Sequence, residues 1–146
     1  MQYRISKQAL VPYSANLMYD LVNDIERYGE FVPWCSRGYV ESREGNVVCG
    51  VLVFTRMGMQ YTLKTKNVCQ RPDTIVLELI EGPLDHLQGQ WSFHSYDKGC
   101  EVRLTLDVRL HSYGLHMLFN TMFDSLSERL VEVFVHRAHV LYGEAH

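Results

Sequence analysis

The run LHMLFNTMFDSLSERLVEVFVHRAHVLY, residues 115–142, decides the reading of this chain, because it keeps helical periodicity throughout with no internal proline or glycine. Leu115, Phe119, Met122, Phe123, Leu126, Leu130, Val133, Phe134 and Leu141 recur at steps of three and four, so they fall on one side of a 3.6-residue helix. At 1.5 Å of rise per residue the helix is roughly 42 Å long, more than one edge of a compact domain this size requires. So long an apolar stripe has to be covered. Upstream residues read mainly as strands, which predicts an α+β fold in which a sheet wraps the terminal helix.

Residues 2–11 alternate, Tyr3, Ile5, Ala9 and Val11 against Gln2, Arg4, Ser6 and Gln8, as a half-buried strand does, and Pro12 ends the run. Ser14 is placed to cap a short helix whose apolar face is Leu17, Met18, Leu21, Val22 and Ile25, with Asp20 and Asp24 outward. Gly29 and Pro33 punctuate residues 26–35, which read as a helical turn and then a loop carrying Tyr28, Phe31 and Trp34. From 37 to 110 strands follow one another. Turns are expected at Arg43-Glu44-Gly45-Asn46, Met57-Gly58, Arg71-Pro72-Asp73, Glu81-Gly82-Pro83 and Asp97-Lys98-Gly99. Between them Val47–Phe54, Met59–Cys69 and Thr74–Ile80 read as strands, and Leu87, Gly89, Trp91 and Phe93 share one face of the next. In the last strand Val102, Leu104, Leu106, Val108 and Leu110 alternate with Glu101, Arg103, Thr105, Asp107 and Arg109. Short turns make neighbouring strands antiparallel, so one face can meet the helix while the other meets water.

The chain has 146 residues, 47% of them apolar, which fits one domain over 1–146 with a substantial core. A formal charge of −3 gives no global pull toward nucleic acid. Cys35, Cys49, Cys69 and Cys100 form no C-x-x-C pair, which argues against a zinc site and for a reducing compartment. The N-terminus carries no apolar signal core and no basic, Ser-rich presequence, and no window approaches the roughly 18 apolar residues of a membrane span. A cytosolic protein, or one peripheral on a membrane, is the expectation.

No constellation of catalytic side chains emerges. His136 and His139 lie one helical turn apart and His111 and His116 flank the helix start, but they have no carboxylate partner at metal-site spacing, so no metal is expected. The carboxylate pairs Asp20/Asp24 and Glu81/Asp85 read as solvated charge rather than as an acid and base. Lys64, Lys66, Arg103, Arg109 and Arg56 would form a basic face if their strands were close neighbours. Arg137 falls inside the apolar stripe and has two readings: it snorkels toward the helix end, or it caps an internal cavity and binds a polar head group. Val131 and Val135 project away from the stripe and mark either a partner surface or a wide buried face.

Two stretches carry a family resemblance. Residues 21–35, LVNDIERYGEFVPWC, resemble the L-V-x-D-(V/I)-x-x-Y-x-x-F-(V/L)-P-x-C signature of the coenzyme Q-binding START-like family, and residues 80–93, IEGPLDHLQGQWSF, are similar to its (V/I)-x-G-P-F-x-x-L-x-x-x-W-x-F signature, with Leu84 where Phe is usual. That family, within the SRPBCC superfamily, includes mitochondrial members and bacterial RatA-type ribosome association toxins, often labelled oligoketide cyclase/lipid transport proteins. The resemblance implies a helix-grip (START/Bet v 1-like) fold: a curved antiparallel sheet around the C-terminal helix, with a hydrophobic cavity between. It implies a non-enzymatic carrier or chaperone of a polyprenyl quinone, ubiquinone foremost, supporting respiration and requiring no cofactor, in a bacterial cytoplasm and peripheral at the inner membrane at most. The expected ligand contacts are Phe31, Val32, Pro33, Trp34, Met59, Tyr61, Leu84, Trp91, Phe93, Phe119, Met122 and Phe123, with Phe134 and Leu141 assigned to packing. The alternative within the family is a toxin that binds the large ribosomal subunit and blocks 70S association. A polyketide cyclase/aromatase is a third reading, disfavoured by the missing acid/base pair.

Overall fold

The computed structural model describes residues 2–111 and 117–143. Its elements follow in the order β1 (Gln2–Val11), α1 (Ala15–Asn23), a 3₁₀ segment (Ile25–Glu30), β2 (Cys35–Glu44), β3 (Val47–Arg56), β4 (Met59–Gln70), β5 (Thr74–Glu81), β6 (Leu84–Tyr96), β7 (Gly99–Leu110) and α2 (Met117–Tyr142). The strands form one antiparallel sheet in the order β1-β7-β6-β5-β4-β3-β2, so β2 to β7 meander and β1 returns to the far side of β7. Register shifts in β2, β5 and β6 bend the strands locally. One face of the sheet packs with α1 and α2 in a single apolar core. This is the helix-grip arrangement.

Alternation sets the sheet's inner face. Val102, Leu104, Leu106, Val108 and Leu110 are all buried, and on β1 Ile5 and Val11 are buried while Tyr3 and Ala9 are half-buried. Gly45 (φ 62°) and Gly58 (φ 80°) adopt the left-handed backbone that two of the tight turns demand. Ser14 caps α1, its Oγ accepting from Leu17 N at 3.1 Å. Leu17 itself is 37% exposed, contrary to the expected face; Tyr19 is buried instead, its ring edge-on to Phe93 at 5.7 Å. The 3₁₀ segment lies on β2 because Gly38 has no side chain: a Cβ there would sit 2.2 Å from Ile25 O.

On α2 the buried residues are Phe119, Met122, Phe123, Leu126, Ser127, Val131, Phe134 and Ala138. Val131 therefore belongs to a wide buried face, whereas Leu141 is 47% exposed and does not pack as expected. The cause is close approach: Ser127 and Ala138 let the helix come near its neighbours, and the buried face rotates toward them as the helix proceeds. Leu115 and His116, assigned to this helix and its start, lie outside the described residues. The far end is held by Tyr13, whose hydroxyl meets His139 Nδ1 at 2.7 Å and donates to Gly143 O.

The expected basic face does not form. Lys64 and Lys66 on β4 are separated from Arg103 and Arg109 on β7 by two whole strands, and Lys64 is neutralised by Glu41 at 2.8 Å and Glu81 at 3.5 Å.

Candidate functional site

Between the middle of α2, the end of α1 with the 3₁₀ segment, and strands β3 to β7 lies a cavity of about 100 Å³. Phe123, Leu126, Leu130 and Phe134 form its helix wall, while Val22, Ile25, Tyr28 and Val32 close the side facing α1. Leu52, Leu63, Leu77, Leu87 and Trp91 come up from the sheet. Two aromatic clusters bound it. Phe54, Tyr61, Phe119 and Phe123 meet around Phe119, with centroids 5.3–6.5 Å apart. Tyr28, Phe31 and Trp91 meet Phe134 edge-on at 5.2–5.3 Å.

Among the described residues the lining contains no carboxylate, histidine, lysine or arginine; its polar side chains are Asn23, Tyr28, Thr65 and Asn67. The Tyr28 hydroxyl is already used, donating to Val22 O, and burial raises its pKa beyond any proton-transfer role near neutrality. Thr65 Oγ1 donates to Asn67 Oδ1 at 2.7 Å, and Cys69 Sγ to Asn23 Oδ1 at 3.5 Å. An apolar chamber with one polar end suits the binding of a hydrophobic molecule.

Of the residues expected from sequence, Val32, Trp91 and Phe123 line this cavity. Phe93 stacks parallel to Trp91 at 6.3 Å, and Tyr61 and Phe119 form the wall's outer layer. Leu84 and Met122 are fully buried in the core. Met59 is 51% exposed at the β3–β4 hairpin. Phe31 and Arg137 share an outer groove instead, and Trp34, at φ 63°, lies between the guanidiniums of Arg56 (5.1 Å) and Arg129 (5.9 Å). Phe134, assigned to packing, is a cavity wall. Asn23, Thr65 and Asn67 were passed over, although the alternation Tyr61, Leu63, Thr65, Asn67 on β4 already put the last two on the inner face.

Arg137 follows neither of its expected readings. Its Nη2 donates to Glu30 Oε1 at 2.6 Å and its guanidinium lies 4.8 Å from the Phe31 ring centroid, so it ties the 3₁₀ segment to α2 outside the cavity. The other titratable candidates are committed to surface pairs. Asp20 binds Arg71 through two bonds of 2.8 Å, which holds its carboxyl below the usual range, and Asp85 is lowered likewise by His111 at 2.7 Å. Asp24 pairs with Arg27 at 3.3 Å. No group of three or more metal-ligating side chains converges among the described residues. Nor is any described helix long and apolar enough to cross a membrane.

The family described as polyketide cyclase / dehydrase and lipid transport matches residues 11–135. The chain is 36% identical over 143 residues to a protein of Vibrio cholerae named ribosome association toxin RatA, covering 97% of this chain and 99% of that one. It is 28% identical over 138 residues to the mitochondrial coenzyme Q-binding protein COQ10 of Drosophila melanogaster, covering 87% of this chain and 56% of that one. Its fold is similar to that of a START superfamily protein from Mycobacterium smegmatis (TM-score 0.78, 17% identity, 94% of this chain and 98% of that one). The same holds for the ZhuI aromatase/cyclase of Streptomyces sp. R1128 (TM-score 0.78, 15% identity, all of both chains).

Proposed function

The chain belongs to the polyketide cyclase / dehydrase and lipid transport family, and from that premise we propose that it is a non-enzymatic binding protein or chaperone for an uncharged hydrophobic ligand, a polyprenyl quinone such as ubiquinone, in support of respiration. The observation that carries this reading is the uncharged, aromatic-walled cavity under α2. At about 100 Å³ it is well below the roughly 300 Å³ at which ligand sites begin, so loading requires its walls to move apart. The segment Phe31–Trp34 and the facing turns of α2 are the walls proposed to yield, with Val32, Trp91 and Phe123 touching the ligand and Phe31, Pro33, Trp34 and Leu84 nearer the mouth. Burying about 200 Å² of apolar ligand surface returns roughly 5 kcal/mol, enough to offset a modest opening cost without a charged contact. The relative named as coenzyme Q-binding supports the ligand class. Protein purified from a quinone-producing bacterium and extracted into organic solvent is expected to yield bound quinone by mass spectrometry. Protein that is empty and takes up none from quinone-loaded vesicles would contradict the reading.

A second reading, for the outer surface, is association with the large ribosomal subunit that blocks 70S formation. It is favoured by full-length relatives named ribosome association toxin and by Trp34 held between Arg56 and Arg129, which have no carboxylate partner among the described residues. A ring flanked by guanidiniums is a surface that RNA bases and phosphates recognise. Added to dissociated subunits before a sucrose gradient, the protein should lower the 70S peak, and an unchanged peak at saturating protein would exclude this role. The two readings use different surfaces and are compatible in one bacterial cytoplasmic protein.

A further inference from the structure

Among the described residues, the wall of the cavity on β4 holds an amide nitrogen that the fold itself does not use. Asn67 is 6% exposed on β4, and its Oδ1 accepts from Thr65 Oγ1 at 2.7 Å, which turns the amide nitrogen the other way. That Nδ2 has no acceptor among the described residues, and Asn67 lines the cavity. A donor held in an apolar chamber without a partner is destabilising unless something supplies an acceptor. The space before it is kept open by Gly50: a Cβ there would lie 3.3 Å from Asn67 Nδ2 and 2.8 Å from Ile25 Cδ1. The other lining hydroxyl, on Tyr28, is spent on Val22 O, so it does not compete.

Resting on the reading of this cavity as a ligand site, we propose that Asn67 is its head-group subsite: the carboxamide, oriented by Thr65 and given room by Gly50, donates a hydrogen bond to a carbonyl oxygen of an uncharged ligand. Among the described residues the lining carries no cation to balance a carboxylate or phosphate, so an anionic head is disfavoured and a ring or ketone carbonyl fits. Apolar walls fix affinity, and this bond fixes which end of the ligand enters.

The test compares two probes of similar apolar bulk, decyl-benzoquinone and decylbenzene, against wild type and Asn67→Leu. Wild type is expected to prefer the quinone, and Asn67→Leu to lose about tenfold in quinone affinity, the worth of one buried hydrogen bond, with no loss toward decylbenzene. Because Leu fills a buried site with apolar bulk, the variant is expected to fold; infrared spectra of carbonyl-labelled quinone give a second reading. The carbonyl stretch should lie lower in wild type than in Asn67→Leu. Equal affinities for both probes, or a stretch the substitution leaves unmoved, would overturn the subsite while leaving the cavity's role intact. Failure of both probes to bind wild type would overturn both.

Discussion

Arg137 shows what a single side chain does for this site without entering it. Its side chain is 15% exposed, its Nη2 bonds Glu30, its guanidinium covers Phe31, and its Nε is buried without an acceptor. A cation over an aromatic face adds about 0.5–2 kcal/mol, and the half-exposed Glu30 adds little more. Arg137→Ala is therefore expected to lower stability by about 1–2 kcal/mol in urea unfolding while leaving the cavity lining in place; an unchanged midpoint would contradict the latch. Helical projection places Arg137 inside the apolar stripe, but its partner lies across the fold, and nothing local in a sequence announces such a pairing. Asn67 failed to stand out for a different reason. Lys64 and Lys66 put charge on the outer face of β4, while parity with Tyr61 and Leu63 turns Asn67 inward.

At the scale of elements, strands and turns were legible and helix faces less so. Period-two alternation and turn chemistry place β3, β4, β5 and β7 to within about two residues, because each turn needs a backbone that Gly or Pro-Asp supplies. The buried face of α2 depends on where neighbouring backbones approach, and small residues such as Ser127 and Ala138 decide that without contributing to an apolar count. Strands β2 and β7 also carry inward thiols, Cys35 and Cys100, whose pKa burial pushes up to about 11. In the unfolded chain these thiols ionise near the reference value of about 9, while the folded ones stay protonated. Their contribution to stability is thus complete below about pH 9 and is lost as pH rises toward about 11. Urea midpoints should fall across that window, and fall less steeply in a Cys35→Ala, Cys100→Ala variant; parallel slopes would contradict this assignment.

For the whole molecule, the sheet and α2 enclose an apolar chamber, and the 3₁₀ segment with its following loop closes one side. The architecture could be read from the terminal helix and the meander of strands, and the two signatures narrowed it to a helix grip. The size of the cavity could not, because it depends on how curved sheet and rotated helix fit together. Its small size in this closed form places the cost of ligand loading in the movement of walls rather than in the loss of polar contacts. The central claim, that a hydrophobic ligand occupies this space, is tested most directly by Trp91, a cavity wall only 3% exposed. In a Trp34→Phe protein it is the remaining tryptophan of the two. Titration with decyl-benzoquinone should quench its fluorescence saturably at one quinone per chain; linear, non-saturating quenching no greater than that of free tryptophan would mean that the ligand never reaches the cavity.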